Sequence, residues 1–266
     1  MIYKVPAFDP DAPIVVIGVG NTHTTLATWR RSQLVTPLSA PTGDAIAFKE
    51  AYVAHLDAAS NGRIGATVIG SVVPGTLASI AEFVRERTDK DALIVGETIS
   101  LPMEVAVIDP KAVGVDRVCG AAAAYDTLKT GCTIVSFGTA VTIDLVDDEG
   151  TFVGGAILPG VRMQIQALHE HTAQLPEVEP GVPALPYGRD TKEAIQTGVC
   201  RGLAGAVRGI VEGYASHLTR WPQVVATGGD LTLMSTHCDF LDSMVTHLVL
   251  RGIALAYTRH AESMGA

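Results

Sequence analysis

Two short stretches constrain this chain more than any other feature. One is Ile14-Val15-Val16-Ile17-Gly18-Val19-Gly20-Asn21-Thr22; the other is Thr133-Ile134-Val135-Ser136-Phe137-Gly138-Thr139-Ala140-Val141-Thr142. Each is an apolar, β-branched run, the composition of a strand buried on both faces. Each breaks at glycine and continues in small hydroxyl or amide residues. A buried strand that turns sharply at glycine presents backbone N–H groups and small donors, and such a turn can cradle a phosphate. The same pattern used twice points to a duplicated fold. With Gly20 aligned on Gly138, the residue two positions earlier is Gly18 in one stretch and Ser136 in the other. Phosphoryl transfer needs a metal-organising carboxylate at such a position, and neither stretch supplies one.

Strand-like runs at 14–19, 66–72, 92–95, 132–137, 141–146 and 223–227 alternate with helical patterns at 44–58, 76–88, 115–129, 160–174, 191–219 and 241–259. The alternation predicts an α/β architecture. A chain of 266 residues accommodates two halves, placed here at 1–118 and 119–266, each of ordinary domain size. The net charge of −9 argues against nucleic acid or an anionic membrane as partner, so an anionic substrate needs local Arg, Lys or backbone N–H groups. Cys119, Cys132, Cys200 and Cys238 are scattered, with no C-x-x-C pair. That suggests reduced thiols in a cytoplasmic protein rather than a disulfide frame or a zinc site. The beginning of the chain carries Asp9 and Asp11 and lacks a long apolar run, so neither a secretory signal nor a membrane span is expected.

Several smaller motifs leave two readings open. In Gly114-Val115-Asp116-Arg117, Asp116 suits a general base with Arg117 holding an anion. Alternatively, Asp116 favours the positive end of a helix and Arg117 pairs with a carboxylate; these four residues alone favour this second reading. Gly154-Gly155 through Pro159-Gly160 reads as a turn. Thr227-Gly228-Gly229-Asp230 follows an apolar strand and lets a flat ligand approach the backbone. Pro176 to Pro183 is a rigid connector or a lid. His169 and His171 point to different helix faces and make no metal set. Gly198, Gly202, Gly205, Gly209 and Gly213 share one helix face, where packing inside the fold is preferred over a subunit seam.

Taken in order, these motifs resemble the type III pantothenate kinases, including the Bvg accessory factor group. The resemblance covers about 14–257 and runs from Gly20-Asn21-Thr22-His23 through Ser71-Val72-Val73-Pro74, Gly114 to Arg117 and Gly138 to Thr142. It continues through Gly154-Gly155 to Gly160, Ala173-Gln174-Leu175-Pro176, Thr191 with Ala194, Ile195 and Gly198, Thr227 to Asp230, and Leu248 to Gly252. It implies an α/β, duplicated ribonuclease H-like (actin-like ATPase) fold, with two similar halves and a nucleotide cleft between them. The implied activity is ATP-dependent phosphorylation of the primary hydroxyl of pantothenate, the entry to coenzyme A. By position, Asp116 is implied as the proton acceptor, and Gly114, Val115, Asp116, Arg117 and Thr191 as substrate contacts. Gly20, Asn21, Thr22, Gly138, Thr139, Gly228 and Gly229 are implied as the ATP site. The family also implies Mg²⁺, a monovalent cation (K⁺ or NH₄⁺) and a homodimer with sites near the subunit interface.

Three positions depart from the family pattern. Its loops carry aspartate where this chain has Gly18 and Ser136, and its substrate pocket carries a tyrosine where this chain has Val107 ahead of Pro110. Asp144, Asp147 and Asp148 lie downstream, and Asp144 falls on the strand face of Thr142 by its even offset. The alternative to an active kinase is therefore a catalytically impaired, pseudo-kinase-like protein that binds a nucleotide or metabolite, or a kinase for another small hydroxyl substrate.

Overall fold

The computed structural model describes residues 12–59 and 64–265; Asp9 and Asp11 lie outside them. The first glycine stretch forms β1 (Ile14–Val19), the centre of a five-stranded sheet. On one side, β1 pairs antiparallel with β2 (His23–Arg30), which pairs antiparallel with β3 (Gln33–Pro41). On the other side lie β4 (Thr67–Ser71) and the two-residue β5 (Leu93–Ile94), both parallel. Helices α1 (Ala45–Ala58) and α2 (Pro74–Thr88) connect these strands, and α3 (Val115–Leu128) follows.

The second glycine stretch forms β6 (Cys132–Phe137), again a sheet centre. Its antiparallel side is β7 (Ala140–Val146) and β8 (Phe152–Pro159); its parallel side is β9 (Gln223–Thr227) and β10 (Ser243–Met244). The helices are α4 (Val161–Glu170), α5 (Thr191–Leu218), α6 (Leu231–Ser235) and α7 (Leu248–Gly265). The orders β3-β2-β1-β4-β5 and β8-β7-β6-β9-β10 are the same. This repetition is the duplicated ribonuclease H-like fold that the resemblance implies.

Period-two alternation decides what each strand face meets. Val15, Ile17 and Val19 pack with Phe48 and Tyr52 of α1 and with Ile80 and Val84 of α2. Ile14 and Val16 pack with Cys119 of α3 and with Leu250 and Ile253 of α7. In the second sheet, Val135, Phe137, Val141 and Ile143 meet Val161 and Ile165 of α4, Leu203 and Val207 of α5, and Met234 of α6. The chain divides into two compact units, one of 1–104, 109–123 and 248–266, the other of 105–108 and 124–247. These differ from a cut at 118/119 because α7 packs on β1 and β4 of the first unit. Gly252 permits a close approach of α7 to α3: a Cβ there would strike the Cys119 carbonyl.

Four readings are corrected. Residues 154–160 are not a turn: Gly154 and Gly155 lie inside β8, with Gly154 at φ +134. Residues 23–30 and 33–41, absent from the strand-like runs, form β2 and β3; β2 mixes threonines with its apolar residues, and β3 is exposed along most of its length and carries two prolines. Residues 241–247 are not helical; the helix begins at Leu248. The glycine face of α5 is not packed inside the fold: a Cβ at Gly198, Gly202, Gly205, Gly209 or Gly213 would meet nothing within 4 Å.

Candidate active site

Both glycine turns are built the same way. In the first, the Gly20 N–H donates to the His23 carbonyl at 3.0 Å and the Thr42 N–H to the Thr22 carbonyl at 2.8 Å. In the second, the Gly138 N–H donates to the Ala140 carbonyl at 3.2 Å and the Gly160 N–H to the Thr139 carbonyl at 3.0 Å. Thr42 and Gly160 are equivalent, each following a proline (Pro41, Pro159) that ends the third strand of its sheet. The Thr42 hydroxyl also donates to the Gly20 carbonyl at 2.7 Å. Nothing in the sequence around Thr42 signals this brace; only the pairing of β2 with β3 brings it there. At Gly160 a side chain is excluded, because a Cβ would strike the carbonyls of Gly138 and Thr139.

The first unit brings the Gly114–Arg117 loop to the same end of its sheet. Val72 donates its N–H to the carbonyl of Val19, which precedes Gly20. A Cβ on Gly114 would lie 3.5 Å from Val72 Cγ1 and 2.6 Å from Asp116 Oδ1. Glycine at 114 therefore leaves room for the Asp116 carboxylate. Asp116 lies in the first turn of α3, as the helix-end reading expects, and its Oδ1 accepts the Arg117 N–H at 2.8 Å. Burial pushes the Asp116 carboxyl above the ordinary carboxylate range, against the opposing pull of the Arg117 N–H and guanidinium. A half-buried carboxylate with a raised pKa at a helix start suits a general base.

The second unit joins Thr227-Gly228-Gly229-Asp230 to its own glycine loop. The Asp230 N–H donates to the Phe137 carbonyl at 3.0 Å. Gly228 has φ +109, and a Cβ there would collide with the Phe137 backbone. Glycine is thus required where the strand end presses on the loop. Burial raises the Asp230 carboxyl, opposed by the charge of Arg162 at the start of α4. Arg162 went unnoticed in the sequence, though its place directly after Pro159-Gly160-Val161 is a usable signal. Thr191 is exposed in the first turn of α5, capped by Asp190, which accepts the Glu193 N–H at 2.8 Å. The Pro176–Pro183 segment is tied to α5: the Gln196 amide donates to the Glu179 carbonyl at 2.8 Å.

The register tests the alignment of Gly18 with Ser136. Gly18 pairs with Thr25 and Gly70; Ser136 pairs with Thr142 and Thr227. The two residues are equivalent, and their surroundings differ. A Cβ on Gly18 would lie 3.3 Å from Leu250 Cδ2 and 3.8 Å from Ile253 Cδ1. On the face of Ser136 stand Thr142, Thr227 and Asp144, the last one pair behind the loop. Asp144 is 1% exposed, and its Oδ2 accepts the Thr142 hydroxyl at 3.1 Å. Among the described residues, no three His, Cys, Asp or Glu side chains stand close enough to hold a metal ion by themselves.

Comparison with known proteins places this geometry. The family described as type III pantothenate kinase matches residues 14–213. Type III pantothenate kinases from Rhodospirillum rubrum and Syntrophotalea carbinolica are each 32% identical over 253 and 252 residues, covering 93% of this chain and 98% and 99% of theirs. One from Anaeromyxobacter sp. strain K is 33% identical over 255 residues, covering 93% of this chain and 99% of its own. Among solved structures, a protein described as a Baf family transcriptional activator from Campylobacter jejuni is 15% identical, with a TM-score of 0.61 over 93% of this chain and 99% of that one. Component A of (R)-2-hydroxyglutaryl-CoA dehydratase from Acidaminococcus fermentans is 14% identical, with a TM-score of 0.56 over 96% and 100%. The solved structures support the fold, and with the sequence matches the chain belongs to the type III pantothenate kinase family.

Proposed function

We propose that this protein transfers the γ-phosphoryl group of ATP to the primary hydroxyl of pantothenate. The observation that carries the reading is Asp116: a half-buried carboxyl with a raised pKa, beside the first phosphate loop, in a chain of this family. In this reading Asp116 accepts the hydroxyl proton, and Arg117, Gly114, Val115 and Thr191 hold the substrate. The N-terminal half supplies Gly20, Asn21 and Thr22 to the phosphates. The C-terminal half supplies Gly138, Thr139, Gly228 and Gly229 to the nucleotide. Phosphoryl transfer depends mainly on positioning and on charge neutralisation.

The donor set fits Mg²⁺ that arrives on ATP, since that ion takes most of its ligands from phosphate and water and few from protein. Asp144, with Ser136, Thr142 and Thr227 on one strand face, is the oxygen-rich group that would face it or a monovalent cation such as K⁺ or NH₄⁺. When bound, the metal offsets phosphate charge. Mass-spectrometric detection of phosphopantothenate from purified protein, ATP, pantothenate, Mg²⁺ or Mn²⁺, and K⁺ or NH₄⁺ tests the proposal. Folded protein that yields no product under any of these conditions overturns it.

Gly18 beneath Leu250 and Ile253 favours a second reading, a nucleotide- or metabolite-binding pseudo-kinase. Calorimetry separates the two: nucleotide binding indifferent to Mg²⁺ supports the pseudo-kinase. Val107 keeps a different small hydroxyl substrate as the remaining variant. We also propose a homodimer seated on the open glycine face of α5, and a cytoplasmic location. Five exposed glycines cost that helix roughly 5 kcal/mol against alanine unless a backbone packs closely there. No helix among the described residues is long and apolar enough to cross a membrane.

A further inference from the structure

The first unit carries a recess of about 500 Å³ between α1 and α2, with one end at Thr24 and Pro41. None of the proposed substrate or nucleotide residues lines it, and none of its walls belongs to α5. Its floor is apolar and aromatic. Phe48 of α1 and Phe83 of α2 meet edge to face with ring centres 6.1 Å apart, and Ile80 packs beside them. A volume of this size lies in the range of small-molecule pockets.

The rim is acidic. Asp44, Glu82 and Glu86 line the recess and are exposed. Asp44 uses one oxygen to cap α1, accepting the Ala47 N–H at 3.0 Å. Glu82 and Glu86 enter no ion pair among the described residues. They stand one turn apart on the same face of α2, a like-charge pair that weakens the helix. Asp44, Glu82 and Glu86 against Lys49 leave two negative charges in excess. Counting also Glu50, Arg85 and Arg87, which adjoin Lys49 and Glu86 in the chain and do not line the recess, one negative charge remains in excess. Lys49 shows what the floor accepts: its Nζ lies 5.1 Å from the centre of the Phe83 ring, an ammonium held by an aromatic face.

We propose that this recess binds an aliphatic polyamine, a chain of ammonium groups separated by three or four methylenes. A lone metal ion is the wrong occupant, because among the described residues no three His, Cys, Asp or Glu side chains converge on one point. The carboxylates are spread along the recess instead. Glutamates one helical turn apart are roughly 5–6 Å apart at Cβ, close to the spacing of two ammonium groups on such a chain. The methylenes would lie along Phe83, and one ammonium would take the ring face that Lys49 holds. The inference goes beyond the kinase reading and does not depend on it.

The test uses the full chain without nucleotide at about physiological salt, where interactions between exposed charges are screened over about 8 Å. Spermidine and hexaamminecobalt(III), equal in charge but extended and compact, are titrated by calorimetry while the Phe83 ring signals are followed by NMR. Spermidine is expected to move Phe83 and to bind about fivefold or more tightly than the cobalt complex. Glu82→Gln with Glu86→Gln is expected to weaken spermidine about fivefold or more. Lys49→Met, which removes the competing ammonium, is expected to tighten it about two- to fivefold. All three positions are exposed, so the core is left intact. An unmoved Phe83, equal binding of hexaamminecobalt(III), an unaltered affinity in the double glutamine variant, or weaker binding in Lys49→Met overturns the proposal.

Discussion

The two glycine loops share a backbone and differ in what stands behind it. Gly18 and Ser136 occupy one position in two sheets of the same order. Around Gly18 the corresponding residues are Thr25, Ala27 and Gly70, covered by Leu250 and Ile253 of α7. Around Ser136 they are Thr142, Asp144 and Thr227. The first loop is backed by hydrocarbon and neighbours the Asp116 carboxyl; the second is backed by three hydroxyls and a carboxylate. Duplication preserved the cradle and let the chemistry behind it diverge. In our reading the first half activates the substrate and the second handles phosphate charge.

The largest expected effect is in the first half. Asp116→Asn should lower kcat/KM by about 10²–10⁴, the usual contribution of a general base, with little change in nucleotide affinity. The wild-type rate should rise with pH through the Asp116 pKa, which burial places above the ordinary carboxylate value. The folded state holds the Asp116 proton to a higher pH than the unfolded state does, so this group's contribution to stability falls as pH rises through that window. Asp116→Asn should therefore melt no lower than wild type at neutral pH. A variant that loses activity and also melts well below wild type would make Asp116 a structural residue.

The second half is tested by Asp144→Asn, which keeps the shape and an acceptor for Thr142 but removes the charge. Loss of a well-placed charge-stabilising group costs about 3–4 kcal/mol, or hundreds-fold in rate. The effect should appear in kcat and in Mg²⁺ dependence. Activity within a few fold of wild type would show that the second loop needs no carboxylate.

Adding a carboxylate to each loop probes the asymmetry directly. Gly18→Asp places its Cβ 3.3 Å from Leu250 Cδ2 and should destabilise by roughly 1–3 kcal/mol through overpacking and a poorly solvated charge. Adding Leu250→Ala should not restore full stability, because the charge remains beside Ile253. Ser136→Asp enters hydroxyl-rich surroundings and should melt close to wild type, with tighter Mg²⁺ binding where the metal lies on that face. Equal melting temperatures for the two variants would dissolve the contrast between the loops.

Much of this was legible in the sequence, and the parts that were not share a cause. β1 and β6 are buried on both faces, so their composition announces them. β2 mixes threonines with its apolar residues, β3 is exposed along most of its length, and β8 carries two glycines. The return of α7 onto β1, which lays Leu250 and Ile253 over Gly18, is a long-range contact with no local signature. The brace from Thr42 is hidden for the same reason. Asp144 was legible only as an even offset from Thr142; the pairing of β6 with β7 sets it behind Ser136.

The smallest expected effect comes from the helices that lead into the fourth strand of each sheet. α1 has 14 residues and no glycine, while α5 has 28 and carries the open glycine face. Nothing in the fold of a single chain rewards that difference, since a Cβ at any of the five positions would meet only open space. Gly202→Leu with Gly209→Leu should raise intrinsic helix stability by up to about 1 kcal/mol per site, and the isolated chain should melt slightly higher. The same leucines would hold a second backbone away from α5. Analytical ultracentrifugation should find wild type dimeric and the double variant shifted toward monomer at equal concentration. A double variant that stays fully dimeric would move the subunit seam off α5, leaving the second half's glycine face without a function in this fold.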